Sequence, residues 1–452
     1  MMASISDFKV VEPCRKLGGT IKVPGDKSIS HRVAMLSGLA SGESVIEGFL
    51  TAEDCRNTLR AVEMLGASVS RDGSLVRITG TGGKFKQPAC MLDLGNSGTG
   101  MRLMAGFLAG QDFVSEMTGD DSLRSRPMGR IKAPLELMGA KVELLGEKGC
   151  APVRIRGGKL KAIEYKSPVA SAQVKSCVLF AGLFADGITT VIEPKATRDH
   201  TEKVMKGVGI PLECDGLSVS VKGFGSAGPK IHGRKWIVPG DFSSAAFWLV
   251  AAAAREGSQV TVENVGLNPR RTALLDVLRR MGSEVALEVQ KSDVSSQMSD
   301  PGSGAVWEQI GTITVRGRRL KGTVIEGDEI PNLIDEIPIA AVAGALADGE
   351  MVIRDAGELR VKESDRITAM AKALSAFGVR VDEKPDGMIV HGGAKIKGGG
   401  QIDSLGDHRV AMSAAIMTFF ADSPVRIDNV ACINTSYPGF WEHLTNLTGG
   451  SR

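Results

Sequence analysis

The stretch PGDKSISHRVAMLSGLASGESVIEG, residues 24–48, contains the pattern that decides the fold. A turn with Gly or Pro and a small polar residue leads into an apolar, Ala-rich segment. That segment ends near a Gly or Asp and is followed by β-branched residues typical of a strand. The same pattern recurs in PGDFSSAAFWLVAAAAREGSQVTVENV, which begins at Pro239. Such self-similarity indicates a chain built from one supersecondary unit. Four further copies bring the total to six and begin at Leu94, Ser167, Glu326 and Leu405.

A second predicted helix follows each copy and usually closes on a Gly before another strand. In ITAMAKALSAFGVRV, apolar residues recur at the spacing of one buried helical face, at Ile367, Met370, Leu374 and Phe377. We therefore expect an α/β fold (α+β in detail) of six βαβαβ-like repeats, with helices packed inside a shell of sheets.

The segment VPGD occurs twice, at residues 23–26 and 238–241, and three of the six repeats lie between the two copies. A chain of 452 residues exceeds the usual size of one hydrophobic core, which favours two domains. We expect one domain over residues 25–240 and a second that combines 1–24 with 241–452, with a hinge at the two VPGD segments. Alternatively, VPGD is only a turn that the repeats share.

The composition is that of a globular protein and argues against nucleic acid as a partner. Charged residues make up 24% and hydrophobic residues 42% of the chain. Lys and Arg number 55 against 52 Asp and Glu, and the basic residues are scattered. Aromatic residues make up only 4%, whereas single-strand binders rely on aromatic stacking platforms.

Cysteines and histidines are also dispersed. The seven cysteines never form CxxC, and the six histidines never form HExxH, so we expect reduced thiols and neither a metal site nor a cofactor. The N-terminal MMASISDFKVVEPCRKL lacks the apolar core of a signal peptide, and no apolar run has the length of a membrane span. These features predict a cytoplasmic protein without a membrane partner.

The first copy carries cations that the fourth copy lacks. Lys27 and Ser28 stand where the fourth copy has Phe242 and Ser243. Arg32 follows Ser28 by four residues and shares its helix face. Free amides at a helix start, a hydroxyl and two cations form a pocket suited to an anion. The alternative is a solvated Lys and an Arg paired on the helix surface.

The second copy contains a Gly-rich turn, LGNSGTGMR, at residues 94–102. Its glycines allow the backbone to approach a ligand closely, and we expect Asn96 to cap the helix. The turn is not a Walker A motif, which requires GxxxxGK followed by Ser or Thr. Arg124, Arg126 and Arg130 follow in a short stretch, where three cations repel one another unless an anion lies among them.

The third copy presents Ser171, Ala172 and Gln173 at its helix start, polar groups suited to a hydroxylated ring or to simple capping. Arg198 follows the next strand and adds a cation.

The last two copies combine acids with cations. Asp335, in LIDEIPIA, is predicted to open an apolar helix, with Glu336 as its less distinctive neighbour. The sequence RVKESDRI places Lys362, Glu363 and Arg366 within one turn, and GDHRVAM places Arg409 at another helix start. Capping explains one acid at a helix start, but it does not explain the accumulated cations.

Taken together, these segments closely resemble the 5-enolpyruvylshikimate-3-phosphate synthase family. The resemblance rests on PGDKSISHR, LGNSGTGMR, RPMGR, SAQVKS, LIDEIP, RVKESDR and GDHRVAM, in that order, followed by TSYPGF from Thr435. It implies the two-domain inverted αβ barrel of the enolpyruvyl transferases, with three βαβαββ repeats per domain. It also implies an enzyme that transfers the enolpyruvyl group of phosphoenolpyruvate to the 5-hydroxyl of shikimate 3-phosphate and releases phosphate. This reaction belongs to the shikimate pathway to chorismate and aromatic amino acids. We expect this enzyme to be a monomer.

The resemblance also assigns site residues. It implies that the 25–240 domain is the shikimate 3-phosphate side, that the other domain is the acid/base and phosphoenolpyruvate side, and that the cleft closes on binding. Asp335 would take the hydroxyl proton, Glu363 would protonate carbon 3, and Lys362 would position the hydroxyl. The shikimate 3-phosphate residues would be Lys27, Ser28, Arg32, Ser171, Ala172, Gln173, Arg198, Asp335 and Lys362. The phosphoenolpyruvate residues would be Lys27, Gly98, Arg126, Gln173, Arg366 and Arg409.

Some positions depart from many family members. Thr435 replaces a Lys, Glu358 replaces an Asn, and SAQ replaces a doubled Ser, which is similar to the variant often called class II. The resemblance also implies glyphosate as an inhibitor that mimics phosphoenolpyruvate. Gly98 stands where tolerant class II relatives often carry Ala.

Two other functions are alternatives to this one. The UDP-N-acetylglucosamine enolpyruvyl transferase shares the fold but has an Asn after its Lys and a Cys in a mobile loop. Here Ser28 follows Lys27, and the loop TGDDSLRSRPMGR has no Cys. A catalytically silent anion-binding protein would have no need of Asp335 and Glu363.

Overall fold

The computed structural model describes residues 7–290 and 308–449. Residues 1–6 lie outside the described residues. They begin the N-terminal segment in which the sequence predicts no signal peptide. Residues 291–307 and 450–452 of the predicted 241–452 domain also lie outside the described residues.

The described residues divide into two compact units. The 25–238 unit consists of those residues together with Glu308, and the 239–449 unit consists of residues 7–24, 239–290 and 309–449. The division therefore falls inside the two VPGD segments. The roles given to the two domains, and the hinge, stay predictions.

Three repeats of one topology build the 25–238 unit. In each four-stranded sheet, a parallel pair of strands is extended by two antiparallel strands. The elements of this unit, numbered in chain order, are listed by repeat. The first has α1 (Lys27–Leu39), β3 (Glu43–Glu47), α2 (Glu53–Met64), β4 (Ser68–Asp72), β5 (Leu75–Thr79) and β16 (Lys235–Ile237). The second has β6 (Leu92–Asp93), α3 (Gly98–Ala109), β7 (Val114–Thr118), α4 (Asp121–Arg124), α5 (Gly129–Met138), β8 (Lys141–Leu144) and β9 (Val153–Arg156). The third has β11 (Glu164–Lys166), α6 (Ala172–Gly182), β13 (Ile188–Ile192), α7 (His200–Gly207), β14 (Leu212–Asp215) and β15 (Ser218–Lys222), beside the pair β10 (Leu160–Lys161) and β12 (Ala185–Asp186).

The 239–449 unit repeats the same plan. The fourth repeat has β2 (Gly18–Lys22), α8 (Phe242–Ala253), β17 (Gln259–Gly266), α9 (Ala273–Arg280), β18 (Glu284–Val289) and β19 (Ile310–Arg316). The fifth has β20 (Val324–Ile325), α10 (Ile330–Leu333), α11 (Ile337–Ala345), β21 (Glu350–Ile353), α12 (Arg366–Ala376), β22 (Arg380–Lys384) and β23 (Gly387–His391). The sixth has β24 (Gln401–Asp403), α13 (His408–Thr418), β25 (Val425–Asp428), α14 (Phe440–Thr448) and β1 (Phe8–Val11). The sheets have the orders β18-β19-β17-β2, β20-β21-β23-β22 and β1-β25-β24, so that β1 and β2, from the start of the chain, complete two of them.

The Ala-rich helices lie at the centre of each unit. Every residue of α8 is buried, and so is every residue of α1 from Ile29 to Leu39. A helix that is apolar all round must be surrounded by protein, whereas the alternating burial of strands such as β9 fits sheets with one face on a core. Small residues let the helices approach closely: a Cβ on Gly106 of α3 would lie 2.2 Å from the Cys177 carbonyl oxygen of α6.

The predicted repeat architecture is confirmed, with three repeats in each unit. The sheets of the described residues are all open, and none of them closes into a continuous barrel of strands. Within residues 7–290 and 308–449, no helix is both long and apolar enough to cross a bilayer. The sequence motifs lie at the starts of the central helices. The fold therefore fixes the position of each motif within its unit.

Candidate active site

In the 25–238 unit, the start of α1 is organised by Asp26. Its carboxylate accepts a hydrogen bond from the Ile29 amide at 2.9 Å and caps the helix. Lys27 is next, and its ammonium lies 3.1 Å from a carboxylate oxygen of Asp54. The start of α1 therefore presents a lysine whose position is set by a largely buried acid.

Arg32 is buried beneath this turn and bonds to neutral groups. Its guanidinium donates to the Thr201 hydroxyl at 2.7 Å, the Ser176 hydroxyl at 2.9 Å and the Ser28 carbonyl at 2.8 Å. Burial, assisted by the Arg198 cation, lowers the pKa of Arg32 to about 10, although the Glu202 and Asp26 carboxylates oppose the shift. Within residues 7–290 and 308–449, no carboxylate bonds Arg32 directly, and such a buried cation favours an incoming anion.

Gln173 joins the second repeat of this unit to the third. Its carbonyl accepts from Arg102 at 2.7 Å, and its amide donates to the Thr99 hydroxyl at 2.8 Å. Ser171 caps α6 by accepting from the Val174 amide at 3.3 Å. The structure thus brings the starts of α3 and α6 together, as a shared ligand site would require.

The Gly-rich turn differs from the prediction in its cap. Ser97, not Asn96, accepts from the Gly100 amide at 2.9 Å and caps α3. Asn96 instead accepts from Arg126 through its side-chain oxygen at 2.6 Å. Asn96 stands one residue before the capping position. Its side chain therefore orients the largely buried Arg126 guanidinium instead of capping the helix.

The cluster of three arginines is not uniform. Arg126 is 6% exposed, and it donates to Ser122 as well as to Asn96. Arg124 pairs with Asp121 on the surface. Of these two cations, only Arg126 is placed to hold a ligand beside Gly98, because a Cβ added to Gly98 would lie 3.3 Å from the Arg126 Nη1 atom.

In the 239–449 unit, Arg366 is the centre of an ionic network. Its guanidinium lies 2.6 Å from Glu363, 2.8 Å from Asp407 and 3.3 Å from Asp335. Burial alone would lower the pKa of Arg366, but the Asp407, Glu363 and Asp335 carboxylates raise it above its usual value. The two predicted acid/base residues are therefore held by one guanidinium that stays charged.

Asp335 has two further partners. Its carboxylate lies 3.4 Å from the Lys362 ammonium, and its carbonyl accepts from Arg409 at 2.7 Å. Asp335 does not open the apolar helix as predicted, because α11 begins at Ile337 and Asp335 lies in the connection from α10. That connection leaves its carboxylate 15% exposed, which is enough for contact with a substrate.

Several residues that bond or orient the predicted site residues had not been predicted from the sequence. Asp407 is fully buried; burial would raise its pKa, but Arg366 lowers the pKa below its usual range. Glu336 is also fully buried and lies near Arg409. Acids at helix starts had been explained as caps. The two adjacent acids in LIDEIP, Asp335 and Glu336, were the available signal that Glu336 has a charged partner. Ser176 and Thr201, which bond Arg32, gave no signal in the sequence.

Comparison with known proteins identifies the family. Residues 11–444 match the family model described as EPSP synthase (3-phosphoshikimate 1-carboxyvinyltransferase). The chain belongs to the EPSP synthase family.

Curated members of the EPSP synthase family are similar over their whole length. The 3-phosphoshikimate 1-carboxyvinyltransferase of Akkermansia muciniphila is 51% identical over 441 residues, which cover 95% of this chain and 98% of the relative. That of Pelotomaculum thermopropionicum is 48% identical, covering 96% of this chain and 97% of the relative.

A comparison with solved structures supports the same family. The EPSP synthase of Acinetobacter baumannii matches with a TM-score of 0.82 and 41% identity, over 97% of both chains. The enolpyruvyl transferase NikO of Streptomyces tendae has a TM-score of 0.76 at 16% identity, which shows the fold alone.

Proposed function

We propose that this EPSP synthase family member transfers the enolpyruvyl group of phosphoenolpyruvate to the 5-hydroxyl of shikimate 3-phosphate and releases phosphate. It is a 3-phosphoshikimate 1-carboxyvinyltransferase of the shikimate pathway to aromatic amino acids. One structural observation carries the chemistry: Asp335 and Glu363 share the buried Arg366 guanidinium. The reaction needs a base and an acid close together.

In the proposed addition step, Asp335 removes the proton from the 5-hydroxyl as that oxygen attacks carbon 2 of phosphoenolpyruvate. Glu363 donates a proton to carbon 3, which gives a tetrahedral intermediate. In the elimination step, Glu363 recovers a proton from carbon 3, and phosphate leaves with the proton held by Asp335. Lys362, 3.4 Å from Asp335, positions the hydroxyl and balances charge.

Both substrates are polyanions, so the proposed binding residues are mainly cations and helix starts. Lys27 and Gln173 contact both substrates in this proposal. The residues for shikimate 3-phosphate are Lys27, Ser28, Arg32, Ser171, Ala172, Gln173, Arg198, Asp335 and Lys362. Those for phosphoenolpyruvate are Lys27, Gly98, Arg126, Gln173, Arg366 and Arg409.

We propose that the enzyme works as a monomer in the cytoplasm without a cofactor, on small-molecule substrates alone. The scattered cysteines support a reducing compartment, and the balance of basic and acidic residues argues against nucleic acid as a partner.

A phosphate-release assay tests the function. Phosphate should appear only when shikimate 3-phosphate and phosphoenolpyruvate are present together, and omitting either one should abolish it. A parallel reaction with UDP-N-acetylglucosamine in place of shikimate 3-phosphate should release none. Release in that reaction alone would replace the proposed function with the transferase that shares its fold.

A further inference from the structure

Glu336 is a buried acid that the proposed chemistry does not use. Its side chain is 0% exposed, although it directly follows Asp335 in the chain. An ionised carboxylate is costly to bury unless cations and hydrogen-bond donors surround it. Its partners should therefore show what it does.

One oxygen of Glu336 contacts polar groups from three separate segments of the chain. Its Oε1 atom accepts a hydrogen bond from the Ser243 hydroxyl at the start of α8. The same oxygen lies 3.3 Å from the Arg271 guanidinium and 3.7 Å from the Arg409 guanidinium at the start of α13. Arg271 also donates to Ser243 at 2.6 Å, so these side chains form one buried network.

In the part of the chain that the structure describes, the Arg409 guanidinium is held through a single nitrogen atom. Among the described residues, the polar contacts of the Arg409 guanidinium are to the Asp335 carbonyl at 2.7 Å and to Glu336, and both involve Nη1. The backbone amide of Arg409 is fixed by Asp407 at 2.9 Å. These contacts orient the guanidinium while Nη2 stays available to an anion.

We propose that Glu336 is a positioning residue for phosphoenolpyruvate, acting through Arg409, with Ser243 and Arg271 holding its carboxylate in place. The proposal rests on the proposed function, which assigns Arg409 to phosphoenolpyruvate. Glu336 itself touches no reacting atom in this scheme.

Two roles for this carboxylate predict opposite effects on binding. If Glu336 only neutralised charge, its removal would leave more positive potential near Arg409, and the KM for phosphoenolpyruvate would fall. If Glu336 positions Arg409, its removal lets the guanidinium move, and that KM rises. The sign of the change therefore separates positioning from simple neutralisation.

The test is Glu336→Gln, which keeps the shape and removes the charge. We expect the KM for phosphoenolpyruvate to rise by about 10-fold or more, by analogy with outer-shell partners of metal ligands, which contribute about 10- to 100-fold. The KM for shikimate 3-phosphate and kcat should each change less than about threefold, since uniform binding of one substrate is what is lost. An unchanged or lower KM for phosphoenolpyruvate overturns the proposal.

Ser243→Ala provides a second variant in case Glu336→Gln folds poorly. It removes only the hydroxyl that holds Glu336, and it should raise the same KM by a smaller factor. A matched control is Asp428→Asn, which breaks the 2.8 Å pair with Arg426 elsewhere in the 239–449 unit. The control should leave both KM values unchanged. If the role of Glu336 were purely structural, its variants would also leave both KM values unchanged.

A double-mutant cycle identifies the residue through which Glu336 acts. If it acts through Arg409, the effects of Glu336→Gln and Arg409→Lys on the KM for phosphoenolpyruvate should not add, because contacting residues couple. Additive effects overturn the proposed route. A parent enzyme that releases no phosphate overturns the proposed function and this inference together, whereas an active parent with an unaffected Glu336→Gln variant overturns the inference alone.

Discussion

Arg32 and Arg366 are both buried, yet their surroundings shift their pKa values in opposite directions. Burial lowers the pKa of Arg32 to about 10, since the groups that bond it directly are hydroxyls and a carbonyl. The pKa of Arg366 rises in spite of burial, since carboxylates bond it on several sides. The first guanidinium suits an incoming anion, and the second holds the two acids that we propose for proton transfer.

The same contrast appears between α1 and α8, which begin with the same turn. Asp26 and Asp241 cap the two helices, accepting from the Ile29 and Ser243 amides at 2.9 and 2.7 Å. Aligning these caps places Phe242 and Phe247 of α8 at the positions of Lys27 and Arg32. The start of α1 thus carries cations that we propose to bind a ligand. The start of α8 has apolar side chains at the matching positions, and its Ser243 hydroxyl bonds Glu336.

The largest expected effect concerns the acids held by Arg366. Glu363→Gln keeps shape and hydrogen bonding but removes the transferable proton. We expect turnover to fall by about 100- to 10,000-fold, the usual contribution of a general acid or base. Steady-state phosphate release gives turnover, and calorimetric binding of shikimate 3-phosphate should be nearly unchanged. Turnover within about twofold of the parent would exclude Glu363 from proton transfer.

The two arginines should also differ in their contribution to stability. Arg366→Met leaves Asp407 buried without its main cation, and we expect the free energy of unfolding to fall by about 3–5 kcal/mol. Arg32→Met removes hydrogen bonds to groups that keep other partners, because Ser176 and Thr201 also bond each other at 2.6 Å. Here the loss should be only about 1 kcal/mol.

Urea unfolding followed by circular dichroism compares these two variants with the parent. Equal losses would mean that the carboxylates around Arg366 do not depend on its charge, and the contrast between the two arginines would then fail.

His31, on α1, should make stability depend on pH. Burial lowers its pKa well below 6.5, with the Lys27 and Arg32 cations adding to the shift. Below about pH 6.5 the unfolded chain binds a proton at His31 and the native chain does not, so stability falls as pH falls. We expect the parent to lose more stability than His31→Gln between pH 6.5 and 5, by up to about 1.6 kcal/mol over the whole interval, which is the limit for one proton.

Thermal unfolding of both proteins across this pH range measures the difference. Other groups that titrate, such as His443, are common to the two proteins and cancel. Parallel pH profiles would show that His31 gains its proton in the native state as well.

The sequence was sufficient to predict the repeats, because the periodic pattern of each copy reports local structure directly. It also indicated the charged helix starts of Lys27 and Arg409. It could not indicate partners that are distant in the chain: Thr201 lies 169 residues from Arg32, and Glu336 lies 93 residues from Ser243. Asn96 was predicted as a cap, but its neighbour Ser97 is the cap, since competing polar residues one position apart give the same signal.

The smallest expected effect lies at Gly98, beside Arg126 in the 25–238 unit. A Cβ there would lie 3.0 Å from Arg102 Nη1 and 3.3 Å from Arg126 Nη1, so the ends of these two side chains must shift by a few tenths of an ångström. Gly98→Ala should therefore fold normally while narrowing the space beside a cation proposed to bind phosphoenolpyruvate. Glyphosate, the longer molecule, should lose more binding than the substrate, by about 1 kcal/mol or fivefold. The parent, without the methyl group, should be appreciably inhibited, and inhibition curves at matched phosphoenolpyruvate saturation give the comparison. If the parent and variant curves coincide, other residues set the inhibition, and the space beside Arg126 does not distinguish the two anions.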